Sequence, residues 1–160
     1  MVVQRKKTKS GAALKHLGAL IDAYTPAVAS IARGAITRLR RQMPGAIELV
    51  GDRYTGLVIG FSPTERPVDA TLSIVVYPRW VNLFFLRGAV LRDPRKVLQG
   101  TGKVVRHVTL HDPALLDDRD VQDLVAQARA QSRVEFPRRR RTIIKAISAK
   151  RRSRRPAGAR

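Results

Sequence analysis

The chain has no cysteine among its 160 residues. That excludes disulfides, thiolate metal sites and cysteine nucleophiles together, and it fits a reducing compartment. It also lacks any apolar run approaching the ~20 residues needed to span a bilayer. Lys15, His16 and Asp22 break up the stretch after the basic N-terminus, so no signal-peptide core is present and a soluble cytoplasmic protein is expected. Acids are scarce: 12 Asp and Glu stand against 32 Lys and Arg, for a net charge of +20. The imbalance is uneven. Residues 1–20 carry +5, residues 133–160 carry +11, and the longer interior only +4. The two ends and the interior therefore need separate readings.

What is present reads as one domain with extensions. Residues 1–10, "MVVQRKKTKS", show no apolar period and are expected to be a disordered basic leader. Ser10 can cap a short helix with Leu14, Leu17 and Ile21 on one face. Thr25 and Pro26 give an N-cap and first helical position, and Val28, Ile31, Ala32, Ala35, Ile36 and Leu39 follow at helical spacing. Strands are expected near 46–51, 56–61, 71–77, 80–87 and 104–110, from alternating and β-branched runs separated by Gly, Pro and Asp. Leu91 to Leu98 can make one helical turn begun by Asp93–Pro94. Asp117 or Asp118 caps a closing helix near 118–131 with Val121, Leu124, Val125 and Ala128 on one face. This order predicts an α+β two-layer sandwich. Its mainly antiparallel five-stranded sheet would carry the N- and C-terminal helices on one face. The domain is expected over 11–136, with 137–160 a basic tail without fixed structure. Removing that tail is then expected to leave the domain folded.

Several motifs suggest chemistry and are weighed against plainer roles. Gly100-Thr101-Gly102-Lys103 looks like a phosphate cradle. Val97 and Val104 occupy the places where a P-loop needs Gly and Ser or Thr, and a strand follows instead of a helix. A glycine turn before the fifth strand is the simpler reading, with Lys103 and Arg106 as a candidate anion site beside Gly100 and Gly102. His107 and His111 would lie ~13 Å apart along a strand, too far to share one metal. No Ser, His and Asp spacing suggests a nucleophile and its base, so a noncatalytic protein is expected. Tyr77, Trp80, Phe84 and Phe85 flank one hairpin. Period two sends Leu83 and Phe85 inward and Phe84 to the other face.

The segment "VLQGTGKVVRHVTL", Val97 to Leu110, closely resembles the one that closes the sheet in the YdhG-like domain family, as do the strand at Ser73–Tyr77 and the pair Arg106–His107. These are small bacterial domains, largely of unknown function, similar in fold to frataxin. The resemblance covers roughly Leu14 to Lys150, and a tail like "RRRRTIIKAISAKRRSRRP" occurs in some members. The first hairpin, "RQMPGAIELVGDRYTG", departs from the family's aromatic pattern there. The resemblance implies one alternative function, a frataxin-like iron chaperone, for which iron would be the only cofactor. Its candidate ligands are Asp117, Asp118, Asp120 and Asp123, the one acidic cluster. Helix capping and dipole complementarity account for the same four residues.

The C-terminal run is the strongest physical signal. Arg138, Arg139, Arg140, Arg141, Lys145, Lys150, Arg151, Arg152, Arg154 and Arg155 place ten cations in eighteen residues. Such a segment binds phosphate backbones through counterion release, without base specificity. It lacks interleaved aromatics, so stacking on single-stranded bases is not expected. A merely solubilising tail is the competing reading. The leading expectation is a binding or accessory protein whose partner is a polyanion such as nucleic acid. No membrane partner is expected, and the oligomeric state is left open.

Overall fold

A computed structural model describes the backbone of residues 2–158 and the side chains of 11–158. Over the described residues the chain is α+β, with three α-helices and a six-stranded mixed sheet. Helices α1 (Val2–Asp22) and α2 (Pro26–Gln42) precede strands β1 (Ile47–Asp52), β2 (Leu57–Ser62), β3 (Leu72–Val76), β4 (Val81–Phe85) and β5 (Arg106–Thr109). Helix α3 (Arg119–Ala130) and strand β6 (Arg141–Ile147) complete it. The spatial order is β5-β4-β3-β2-β1-β6. The first five strands run antiparallel to their neighbours, and β6 lies parallel to β1 at the edge.

Local sequence explains most of these elements. The hydroxyl of Thr25 accepts from the Val28 amide at 3.4 Å, and Pro26 follows it at the first helical position. The apolar stripe of α2, Val28 to Leu39, is buried as spaced. Asp118, one of the two candidates, caps α3 by accepting from the Asp120 amide at 2.9 Å. In β2, β3 and β4 the alternating set Leu57, Ile59, Phe61, Leu72, Ile74, Val76, Val81, Leu83 and Phe85 is fully buried. It joins one cluster with Leu17 and Ile21 of α1, Ile36 and Leu39 of α2, and Leu124 and Val125 of α3. All three helices therefore cover the same sheet face. Each large side chain withdrawn from water there contributes about 1.5–3 kcal/mol before entropy is counted. Tyr24, between α1 and α2, ties the layers together by donating to the Val76 carbonyl at 2.9 Å. Phe84, on the other face, lies tilted against His107 with ring centroids 5.4 Å apart.

Three sequence expectations need correction. The leader is helical from Val2, because residues 2–9 contain no Gly or Pro and are rich in Lys, Arg and Gln, which extend a helix readily. Residues 91–98 form a turn and no helix. Both carboxylate oxygens of Asp93 accept there, from the amides of Val97 and Leu98, each at 2.9 Å. The largest correction is the sixth strand. Residues 141–147 fall in the segment expected to lack fixed structure, yet they pair along the whole of β1. Thr142 is buried and Ile144 packs on the core. "TIIKAI" is a β-branched run of strand length. The flanking arginines hide it by giving the whole segment a disordered composition.

The entry into β6 depends on Gly45, which follows the end of α2 with φ +78°. A Cβ there would fall 1.7 Å from the carbonyl oxygen of Pro137. Gly45→Ala is expected to lower stability by more than about 2 kcal/mol, from backbone strain and from displacing the chain that starts β6. Gly18→Ala, in open space on α1, should instead stabilise by up to ~1 kcal/mol. Urea denaturation of the two variants tests this. Equal, small effects would show that residue 137 does not dock as described.

Candidate polyanion-binding surface

The register of β1 puts Glu48 opposite Phe61, Val50 opposite Ile59 and Asp52 opposite Leu57. Glu48 and Asp52 thus share the face that the helices cover, and they are 0% and 1% exposed. A buried carboxylate is tolerated only when its charge and lone pairs are met. The C-terminal segment supplies most of what is needed.

Glu48 accepts from Nε and Nη2 of Arg40, each at 2.8 Å, in a two-pronged contact. Arg140 Nη1 at 3.4 Å and Thr142 Oγ1 at 3.2 Å supply two more donors. That fills the roughly four acceptor positions of a carboxylate. Asp52 accepts from Arg151 Nη1 and Arg154 Nη2, both at 2.8 Å. The Arg154 side chain is only 5% exposed. It also donates to the carbonyls of Tyr54, at 3.1 Å, and Arg53, and it lies 5.7 Å from the centre of the Tyr24 ring. Burial pushes the Tyr24 hydroxyl above its ordinary pKa, and the charge of Arg154 pulls it back. Backbone bonds continue the attachment, from the Ser148 amide to Asp52 and from the Arg152 amide to Tyr54, at 2.8 and 2.9 Å.

The ten cations of the run therefore divide. Arg140, Arg151 and Arg154 neutralise buried acids, and Arg141 pairs with Glu65 at 2.7 Å on the surface. Arg155 Nε donates to the Ala23 carbonyl at 3.3 Å, a bond that leaves its charge without a carboxylate partner among the described residues. Arg138, Arg139, Lys145, Lys150 and Arg152 face no carboxylate within ion-pair distance among the described residues, and their charges remain uncompensated. These five are held on or beside an edge strand, where charge also discourages pairing with another chain.

The other candidate residues are placed as follows. Gly100 has φ +116°, as a turn glycine requires. Arg106 folds back onto that turn and donates to the carbonyls of Gly102 and Val105, the latter at 2.8 Å, so its guanidinium closes the turn. Lys103 is exposed at its tip. Asp117 pairs with Arg38 at 2.9 Å and Arg41 at 3.8 Å, Asp118 caps α3, and Asp123 accepts from Gln127 at 2.8 Å. Asp120 sits in the first turn of α3. Among the described residues no group of three His, Asp or Glu side chains gathers as a metal site, and no helix is long and apolar enough to cross a membrane.

Sequence reasoning passed over Glu48 and Asp52. The available signal was their spacing, two acids in phase with Val50 on a strand between two apolar runs. It also passed over a convergence of aromatic and basic side chains. Tyr77 and Trp80, at the β3–β4 turn, share an open cleft with Arg152 and Arg155. Comparison of the chain with family models, curated proteins and solved structures gives no match.

Asp52→Ala is expected to cost roughly 3–5 kcal/mol, because it leaves the buried Arg154 guanidinium uncompensated. Glu65→Ala, which breaks an exposed pair, should cost about 0–1 kcal/mol. Asp52→Leu combined with Arg154→Met should recover much of the loss, as replacing both partners of a buried pair often does. Chemical denaturation measures all three. Similar losses for Asp52→Ala and Glu65→Ala would contradict this assignment.

Proposed function

We propose that this chain is a noncatalytic polyanion-binding protein with nucleic acid as its partner, contacted by the C-terminal charges that the fold does not use. The supporting observation is the division of the arginines. Three meet buried acids, while Arg138, Arg139, Lys145, Lys150 and Arg152 keep their charge unpaired on a segment pinned to the sheet. Pinning reduces the ordering cost that a free tail would incur on binding. The same reading takes the chain as a YdhG-like domain, on the strength of the residues Ser73–Tyr77 and Val97 to Leu110. The iron alternative gains no support, since Asp117, Asp118 and Asp123 already serve as ion-pair, cap and hydrogen-bond partners.

Binding to duplex DNA is expected to weaken with salt and to ignore base sequence. Replacing the five free cations by alanine should leave the thermal midpoint nearly unchanged. It should flatten the log–log salt slope by about 0.9 for each phosphate that is no longer neutralised. Anisotropy titrations at several salt concentrations give both affinity and slope. Undiminished affinity and slope in the fivefold variant would refute the proposal.

A further inference from the structure

We infer that the cleft between the β3–β4 turn and residues 152–157 is a subsite for one nucleotide of a single-stranded nucleic acid. Trp80 would be the platform for the base, and Arg152 and Arg155 the contacts to phosphate. This rests on the polyanion reading above and gives its ligand a chemical class.

The cleft has a volume of about 580 Å³, within the ~300–1,000 Å³ typical of small-ligand sites. One wall is aromatic. Tyr77 and Trp80 lie 5.3 Å apart, centre to centre, with their planes inclined by 37°. They do not close on each other as a parallel stack, and Trp80 remains 45% exposed. The turn beneath them is fixed by the Tyr77 amide donating to the Trp80 carbonyl at 2.9 Å. The largest aromatic side chain of the protein is thus carried in water on a rigid hairpin, not packed beneath the helices.

The facing wall is cationic. Arg154, buried against Asp52, anchors the segment from which Arg152 and Arg155 line the cleft. The backbone there is held by the Arg152 amide on the Tyr54 carbonyl and by Ser153 Oγ on the Arg155 carbonyl, at 2.9 and 2.7 Å. Arg79 makes a third arginine, and among the described residues no Asp or Glu lines the cleft. Aromatic and cationic groups side by side, without an acid, match a base joined to a phosphate. Duplex bases are stacked and cannot reach an indole, whereas a single strand offers them. A free nucleotide shares this chemistry. The strand is favoured because Arg138, Arg139, Lys145 and Lys150 continue the positive charge along the same segment, with no such use for a mononucleotide.

Trp80 is the only tryptophan, so its fluorescence reports on this cleft alone. The full chain would be titrated with a thymidine dodecamer, a duplex of equal length, thymidine monophosphate and heparin. Anisotropy of a labelled dodecamer would be followed in parallel. The single strand should quench Trp80, while the duplex and heparin should bind without comparable quenching. Trp80→Ala should weaken dodecamer binding about 5- to 150-fold, from the usual worth of one base–aromatic stack, with heparin affinity unchanged. Trp80→Phe should keep most of the dodecamer affinity. If dodecamer and heparin bind but quenching is absent, or Trp80→Ala binds the dodecamer as tightly as the parent chain, the subsite is refuted and the polyanion reading survives. Monophosphate binding as tightly as the dodecamer would overturn the assignment to a strand. Failure of every polyanion to bind would remove the underlying reading as well.

Discussion

Glu48 and Asp52 set the terms for this fold. Both acids sit on the core face of β1, where water cannot solvate them. Leaving either carboxylate unpaired in such a place costs several kcal/mol, a large part of the ~5–15 kcal/mol by which a domain is stable. The donors come from Arg40 on α2 and from four residues of the C-terminal segment, Arg140, Thr142, Arg151 and Arg154. The last strand and the strap after it are therefore held by charge as well as by the β1–β6 ladder. Their attachment positions everything else of functional interest on that side of the molecule.

That attachment changes what the basic run means. A run of ten cations looks uniform in sequence, yet each position has its own surroundings in the fold. Arg154 is an interior group in contact with a carboxylate, two carbonyls and a tyrosine ring. Arg152, two residues earlier, is exposed and lines a cleft with Trp80. The proposed polyanion surface is what remains after internal demand is met, and the buried pairs hold it in shape. In that proposal charge excess supplies the attraction, and the anchors supply geometry, which a free tail would lack.

Much of the scaffold was legible because it depends on local pattern. Thr25–Pro26 marks the start of α2, and the alternation in β2, β3 and β4 identifies which side chains face inward. Leu83 and Phe85 are buried and Phe84 faces the other way, as period two requires. The five expected strands are all present. What was hidden depends on partners far apart in the chain. Thr142 meets Glu48 across 94 residues, and Arg154 meets Asp52 across 102. No local window contains both halves of such a pair, so Glu48 reads as an ordinary strand polar, Asp52 as a turn residue and the arginines as solvent-facing charge. β6 was missed for a related reason. A short strand-forming run between two arginine blocks looks like a tail until β1 is seen to leave its edge open to it. The Trp80 cleft was likewise invisible, because its walls come from a turn at 77–80 and a segment at 152–157.

Native-state hydrogen exchange of the intact protein tests the central claim most directly, since it reads the attachment of residues 142–148 without altering any charge. If β6 is part of the cooperative unit, amides that pair with β1, together with that of Ser148, should exchange only through the large openings that also expose β2 and β3. Exchange at those amides within the time expected of an unstructured peptide, while β2 and β3 stay protected, would contradict the account.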